Sequence, residues 1–125
     1  MKTKIIVNPM ANKGNCGKRW PRIRAELENS LGPNSLGPLA DDDIVMTQAP
    51  NHASVLAREA VGAGYRRLIS VGGDGTFSEI LNGVISDDRP IAPDLVLAQL
   101  PGGTSNELSR SFGQLPLEAA CKAIA

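Results

Sequence analysis

At 125 residues the chain is long enough for one domain with a substantial core. Its 13 basic and 13 acidic side chains cancel and only 3% of its residues are aromatic, which argues against a nucleic-acid surface built on charge or base stacking. Two cysteines, Cys16 and Cys121, and a single histidine, with no metal-ligand spacing, exclude a disulfide framework and a histidine-rich metal site.

Lys4 to Val7 reads as a first strand at the sheet centre, ended by Asn8-Pro9 because proline cannot continue a central ladder. This opening is too short to be a signal peptide, and no later apolar run approaches the ~18 residues of a membrane span. The expected location is the cytoplasm. Met10 to Arg19 is a loop rich in glycine, asparagine and base, with Lys13, Lys18 and Arg19 read as solvated. Trp20, Ile23, Leu27 and Leu31 mark one face of a helix, with Pro21 expected in its first turn.

Ser30 to Asp43 is a surface connection holding Leu-Gly-Pro twice and ending in three aspartates, read as a solvated loop end. Ile44 to Thr47 is the second strand. Asn51 or Ser54 is placed to cap the next helix, whose stripe is Ala53, Leu56, Ala57, Ala60 and Val61 and which Gly62 and Gly64 end. His52, at that helix start, is assigned a surface or capping role.

Arg67 to Val71 is the third strand. It feeds Gly72-Gly73-Asp74-Gly75-Thr76, after which Phe77, Ile80, Leu81 and Val84 recur with helical spacing. A glycine-rich turn therefore joins a strand to a helix N-terminus. Unpaired N–H groups and roughly half a positive charge favour an anion there, and glycines let a phosphate approach the backbone. A carboxylate repels phosphate, so Asp74 makes sense beside a magnesium ion, held directly or through water. The structural alternative is a capping box of Thr76 and Glu79.

Ser86 to Pro90 is a turn and Leu95 to Leu100 the fourth strand. That strand runs into Pro101-Gly102-Gly103-Thr104-Ser105-Asn106-Glu107, a second turn of the same kind, followed by a helix with Leu108 and Phe112. A last helix starts at Pro116 and stops uncapped at Ala125, as expected of the N-terminal part of a longer polypeptide. The alternation predicts an α/β fold: a doubly wound, mainly parallel sheet in three layers, with helices on both faces. Ligands of such sheets bind outside the C-terminal strand ends, where the Asn8, Gly72 and Gly102 loops fall.

Three motifs in order resemble the diacylglycerol kinase catalytic domain shared by bacterial soluble lipid kinases and by sphingosine and ceramide kinases. They are Asn8-Pro9 with the Gly14–Gly17 loop, Gly72 to Thr76 leading to Asn82-Gly83, and Pro101-x-Gly103-Thr104-x-Asn106 leading to Arg110. Thr47 and His52-Ala53 fit the same pattern, and the match runs along essentially the whole chain. The resemblance implies that residues 1–125 are an N-terminal ATP-binding domain, with a C-terminal β-rich domain absent from this chain. By resemblance, Asn8, Thr47, Gly72, Gly73, Asp74, Gly75, Thr76, Gly103 and Thr104 bind ATP, and Asp74 couples to Mg²⁺.

The implied activity is ATP- and Mg²⁺-dependent phosphoryl transfer to a lipid hydroxyl. The family's general base and lipid pocket belong to the second domain, so no catalytic base is assignable here and the isolated chain is expected to be inactive. Glu107 stands where the family has Asp. The partners implied are a lipid at the membrane surface, met through the second domain, and a second copy in a homodimer. Two other readings share these motifs in part: an NAD kinase-like phosphotransferase, since NAD kinases and phosphofructokinases carry similar turns, and a non-catalytic nucleotide-binding module.

Overall fold

The computed structural model describes residues 2–11, 13–29 and 39–101. Along them run β1 (Thr3–Val7), α1 (Asn15–Asn29), β2 (Ile44–Met46), α2 (His52–Gly62), β3 (Arg67–Gly72), α3 (Asp74–Gly83), β4 (Ile85–Ser86), β5 (Arg89–Pro90) and β6 (Val96–Pro101). Leu31, both Leu-Gly-Pro copies, the second glycine turn and the helices placed after it lie outside the described residues.

Strands β2, β1, β3 and β6 form one parallel sheet in that order. The chain winds from β1 to β2 on one side and then from β3 to β6 on the other, and right-handed crossovers put the helices of the two halves on opposite faces. Cys16, Trp20, Ile23 and Leu27 of α1 pack with Ile5, Val7, Ile69 and Val71. On the other face Ala53, Ala57 and Ala60 of α2 and Ile80 of α3 pack with Ile6, Leu68 and Leu97. Successive strand residues point to opposite faces, so a strand covered on both sides reads as a continuous apolar run. The expected α/β architecture is thus present among the described residues.

Local differences from expectation have local causes. Helix α1 begins at Asn15, so Pro21 lies inside it and not in its first turn. The N–H groups of Gly14, Cys16 and Gly17 donate to the carbonyls of Met10, Ala11 and Pro9 at 3.0, 3.2 and 2.9 Å, which starts the helix early. Gly17 allows that approach, because a Cβ there would lie 2.9 Å from the Pro9 carbonyl oxygen. Lys18 and Arg19 are therefore helical, although still exposed.

Asn51 precedes α2 in a left-handed conformation with φ 66° and gives no side-chain cap. His52 Nδ1 accepts the Gln48 N–H at 2.9 Å; Gln48 precedes α2, so this bond clasps the approach loop and does not cap the helix. The far end of α2 closes as a Schellman motif: Gly64, at φ 99°, donates to Val61 and Tyr65 donates to Ala60. The Ser86–Pro90 turn is the tip of a small antiparallel hairpin, β4–β5. Asp87 and Asp88 both take positive φ, the conformation of a tight two-residue hairpin turn.

Of the three aspartates before β2, Asp41 pairs with Arg24 at 3.2 Å. Asp43 accepts the Tyr65 hydroxyl at 2.9 Å. The triplet, a single 3₁₀ turn, thus ties the approach to β2 against α1 and the foot of β3. No described helix is long and apolar enough to cross a membrane.

Candidate functional site

The register of the sheet assembles the site. Val7 pairs with Met46 on one side and Val71 on the other. One residue further along, Thr47, Asn8 and Gly72 stand side by side at the C-terminal edge. Backbone bonds hold that row: Thr47 N–H to the Val7 carbonyl at 2.8 Å and Asn8 N–H to the Val71 carbonyl at 2.9 Å. Gly72 in turn pairs with Pro101. The crevice between β1 and β3 is where the winding direction reverses, the general ligand position of open α/β sheets.

Two side chains lock this crevice. Asn8 Nδ2 donates to Thr76 Oγ1 at 3.0 Å, and Asn8 Oδ1 accepts the Met10 N–H at 3.1 Å. The amide of Asn8 thereby ties the loop after β1 to the first turn of α3. Thr76, only 5% exposed, is spent on that contact. Helix α3 starts at Asp74 with Gly73 as its N-cap and no side-chain cap bond. The Thr76–Glu79 capping box is therefore absent, because Thr76 already sits in the helix and its hydroxyl faces Asn8. Among the described residues no side-chain cap bond closes the start of α3.

The glycines divide by role. A Cβ on Gly72 would lie 2.9 Å from Thr76 Oγ1 and 3.3 Å from the Asn8 Cβ, so this position has no room. A Cβ on Gly73 or Gly75 would meet none of the described residues within 4 Å. These two border open space at an uncapped helix N-terminus, the arrangement that suits a phosphate group.

Asp74, exposed in the first turn, has Oδ1 bound by the Gln99 amide at 2.9 Å. Among the described residues no group of three or more His, Cys, Asp or Glu could hold a metal by itself. Magnesium carried on phosphates keeps most of its water and takes one or two carboxylates, and a single Asp beside two open glycines fits that case.

Thr47 shares the sheet edge and joins it through its backbone. Gly103 and Thr104 lie outside the described residues. Gln99 was missed; its one signal is a polar residue interrupting the apolar run Val96 to Leu100. Ser70 is a second polar intrusion, 1% exposed, with an Oγ that has no hydrogen-bond partner among the described residues. Cys16 is buried, and burial pushes its thiol above the ordinary value.

The profile of the diacylglycerol kinase catalytic domain matches residues 2–125. A diacylglycerol kinase of Bacillus subtilis (strain 168) is 36% identical over 98% of this chain and 36% of its own length. Sphingoid long chain base kinase 4 of Schizosaccharomyces pombe is 31% identical over 89% of this chain and 23% of its own. A crystal structure of a diacylglycerol kinase from Bacillus anthracis str. Sterne superposes with a TM-score of 0.56 at 31% identity, covering 98% of this chain and 41% of that one. The chain thus spans only 15% to 36% of the length of the curated relatives it matches. With a family profile matched along nearly every residue and the sheet shared with a solved relative, the chain belongs to the diacylglycerol kinase catalytic domain family.

Proposed function

We propose that this chain is the nucleotide-binding half of an ATP-dependent lipid kinase. The observation that carries the reading is the uncapped N-terminus of α3, opened by Gly73 and Gly75 and locked by Asn8 and Thr76 at the switch point of the sheet. The ATP phosphates lie against the first turn of α3. Asn8, Thr47 and Gly72 form the edge beneath them, and by resemblance to the family Gly103 and Thr104 also bind the nucleotide. Asp74 holds Mg²⁺, directly or through water. When bound, that ion offsets phosphate charge as the γ-phosphoryl group leaves.

The acceptor is a lipid hydroxyl, diacylglycerol or a relative of it. The general base and the lipid pocket come from a further domain that meets the membrane surface from the cytoplasmic side, and two copies pair as a homodimer.

The test is transfer from radiolabelled ATP by the complete gene product, offered diacylglycerol in mixed micelles and, separately, NAD. Labelled phosphatidic acid formed only with Mg²⁺ is the expected result. Labelled NADP with no lipid product would replace the acceptor class. No transfer to either would leave a binding module.

A further inference from the structure

We infer that Gln99 is a positioning residue for Asp74, holding one carboxylate oxygen and leaving the other free for a phosphate-borne cation. The inference rests on the proposed reading of Asp74 as the Mg²⁺ contact.

Gln99 sits in β6 between Ala98 and Leu100, both essentially fully buried. In register it pairs with Ser70 of β3, on the sheet face that α3 covers. An amide inside such a strand is costly unless its polar atoms are paired. Here the Nε2 group reaches across to the first turn of α3 and donates to Asp74 Oδ1 at 2.9 Å. Asp74 itself is exposed and has no other partner among the described residues, so without Gln99 its carboxylate would rotate freely over the helix start. The bond removes that freedom before any ligand arrives.

The chemistry of the donor matters. A lysine or arginine in the same place would also hold Asp74, but it would neutralise the carboxylate and repel a divalent cation. A neutral amide fixes the group and leaves its negative charge intact. Outer partners of this kind orient metal-binding carboxylates, and losing one commonly lowers metal affinity about 10–100-fold. The contrary possibility is a plain clasp between β6 and α3, which would weaken the site with or without the cation.

The experiment is calorimetric titration of ATP into the complete gene product, with Mg²⁺ and with EDTA. It compares wild type, Gln99→Leu, Gln99→Met, Asp74→Asn and the double variant Asp74→Asn/Gln99→Leu. Thermal melts select the folded substitution if either apolar replacement disturbs β6. In the Gln99 variants the gain in ATP affinity conferred by Mg²⁺ should fall about tenfold, while affinity in EDTA stays at the wild-type value. Asp74→Asn should abolish the gain, and adding Gln99→Leu to it should change nothing more. Equal weakening in both arms would reduce Gln99 to a clasp and overturn the inference. A full Mg²⁺ gain in the Gln99 variants, with Asp74→Asn still deficient, would overturn it and leave the Asp74 reading standing. A full gain in Asp74→Asn would remove the Asp74 reading and this inference together.

Discussion

Two glycines three residues apart do opposite jobs. Gly72 is glycine because Thr76 and Asn8 crowd it. Gly72→Ala should therefore push apart the Asn8–Thr76 bond and destabilise the domain by about 1–3 kcal/mol, the usual cost of overpacking, measured as a lowered urea midpoint. Gly75 sits in the first turn of α3 facing open space. Alanine there fits the helix and raises its propensity by up to about 1 kcal/mol. Its methyl group, however, enters the space that the proposed phosphate site requires. Gly75→Ala should keep or raise the melting temperature while weakening ATP binding about tenfold or more, which is roughly 1.4 kcal/mol per decade. Stability and affinity moving in opposite directions is the signature of a glycine kept for ligand approach. Unchanged affinity in calorimetry would remove the cradle from α3.

Each helix carries its own compromise. Pro21 lies exposed inside α1, where it supplies no N–H to the turn before it and its ring crowds that turn. Pro21→Ala should stabilise the fold by about 1–3 kcal/mol, visible in urea unfolding; a loss of stability would mean that the proline sets the bend of α1 against the sheet. Helices α2 and α3 cross at Gly83, where a Cβ would collide with the Ser54 carbonyl. Arg58 Nε donates to the Gly83 carbonyl at 3.1 Å at the same point. Gly83→Ala should force the helices apart and cost about 1–3 kcal/mol. Gly62→Ala, with nothing near its Cβ, is the matched control and should be neutral or mildly stabilising. Equal melting temperatures for the two variants would show that the crossing yields without cost.

At the scale of the whole molecule, the proposed reading gives these residues the nucleotide and assigns the acceptor to a further domain. The chain covers 36% of the Bacillus subtilis relative. Residues 1–125 alone should bind ATP weakly and in a Mg²⁺-dependent way, yet phosphorylate no diacylglycerol above a no-protein control. On that reading the general base lies outside residues 1–125; such a base contributes ~10²–10⁴-fold, and acceptor positioning supplies much of what accelerates phosphoryl transfer. Radiolabelled ATP with diacylglycerol micelles, run beside the complete gene product, reads this directly. Sustained lipid phosphorylation by residues 1–125 would place the base within this chain.

The sequence by itself determined the order of the four parallel strands and of the helices between them, and the glycine-rich turn that starts α3. These are local properties: apolar periodicity, proline after β1 and glycine after β3 are readable within a few neighbours. The hairpin at Asp87-Asp88 escaped because two aspartates in left-handed backbone are a weaker turn signal than Asn-Gly or Asp-Gly. The early start of α1 escaped because its first donors are met by carbonyls of the preceding loop, which no propensity encodes. Tertiary structure alone decided which residues meet. Asn8 reaches Thr76 across 68 positions of sequence, and Gln99 reaches Asp74 across 25. Both contacts exist because the strand order β2-β1-β3-β6 sets β3 between β1 and β6. That order is chosen by which helix faces can be buried together, a sum over the whole core that no single motif contains.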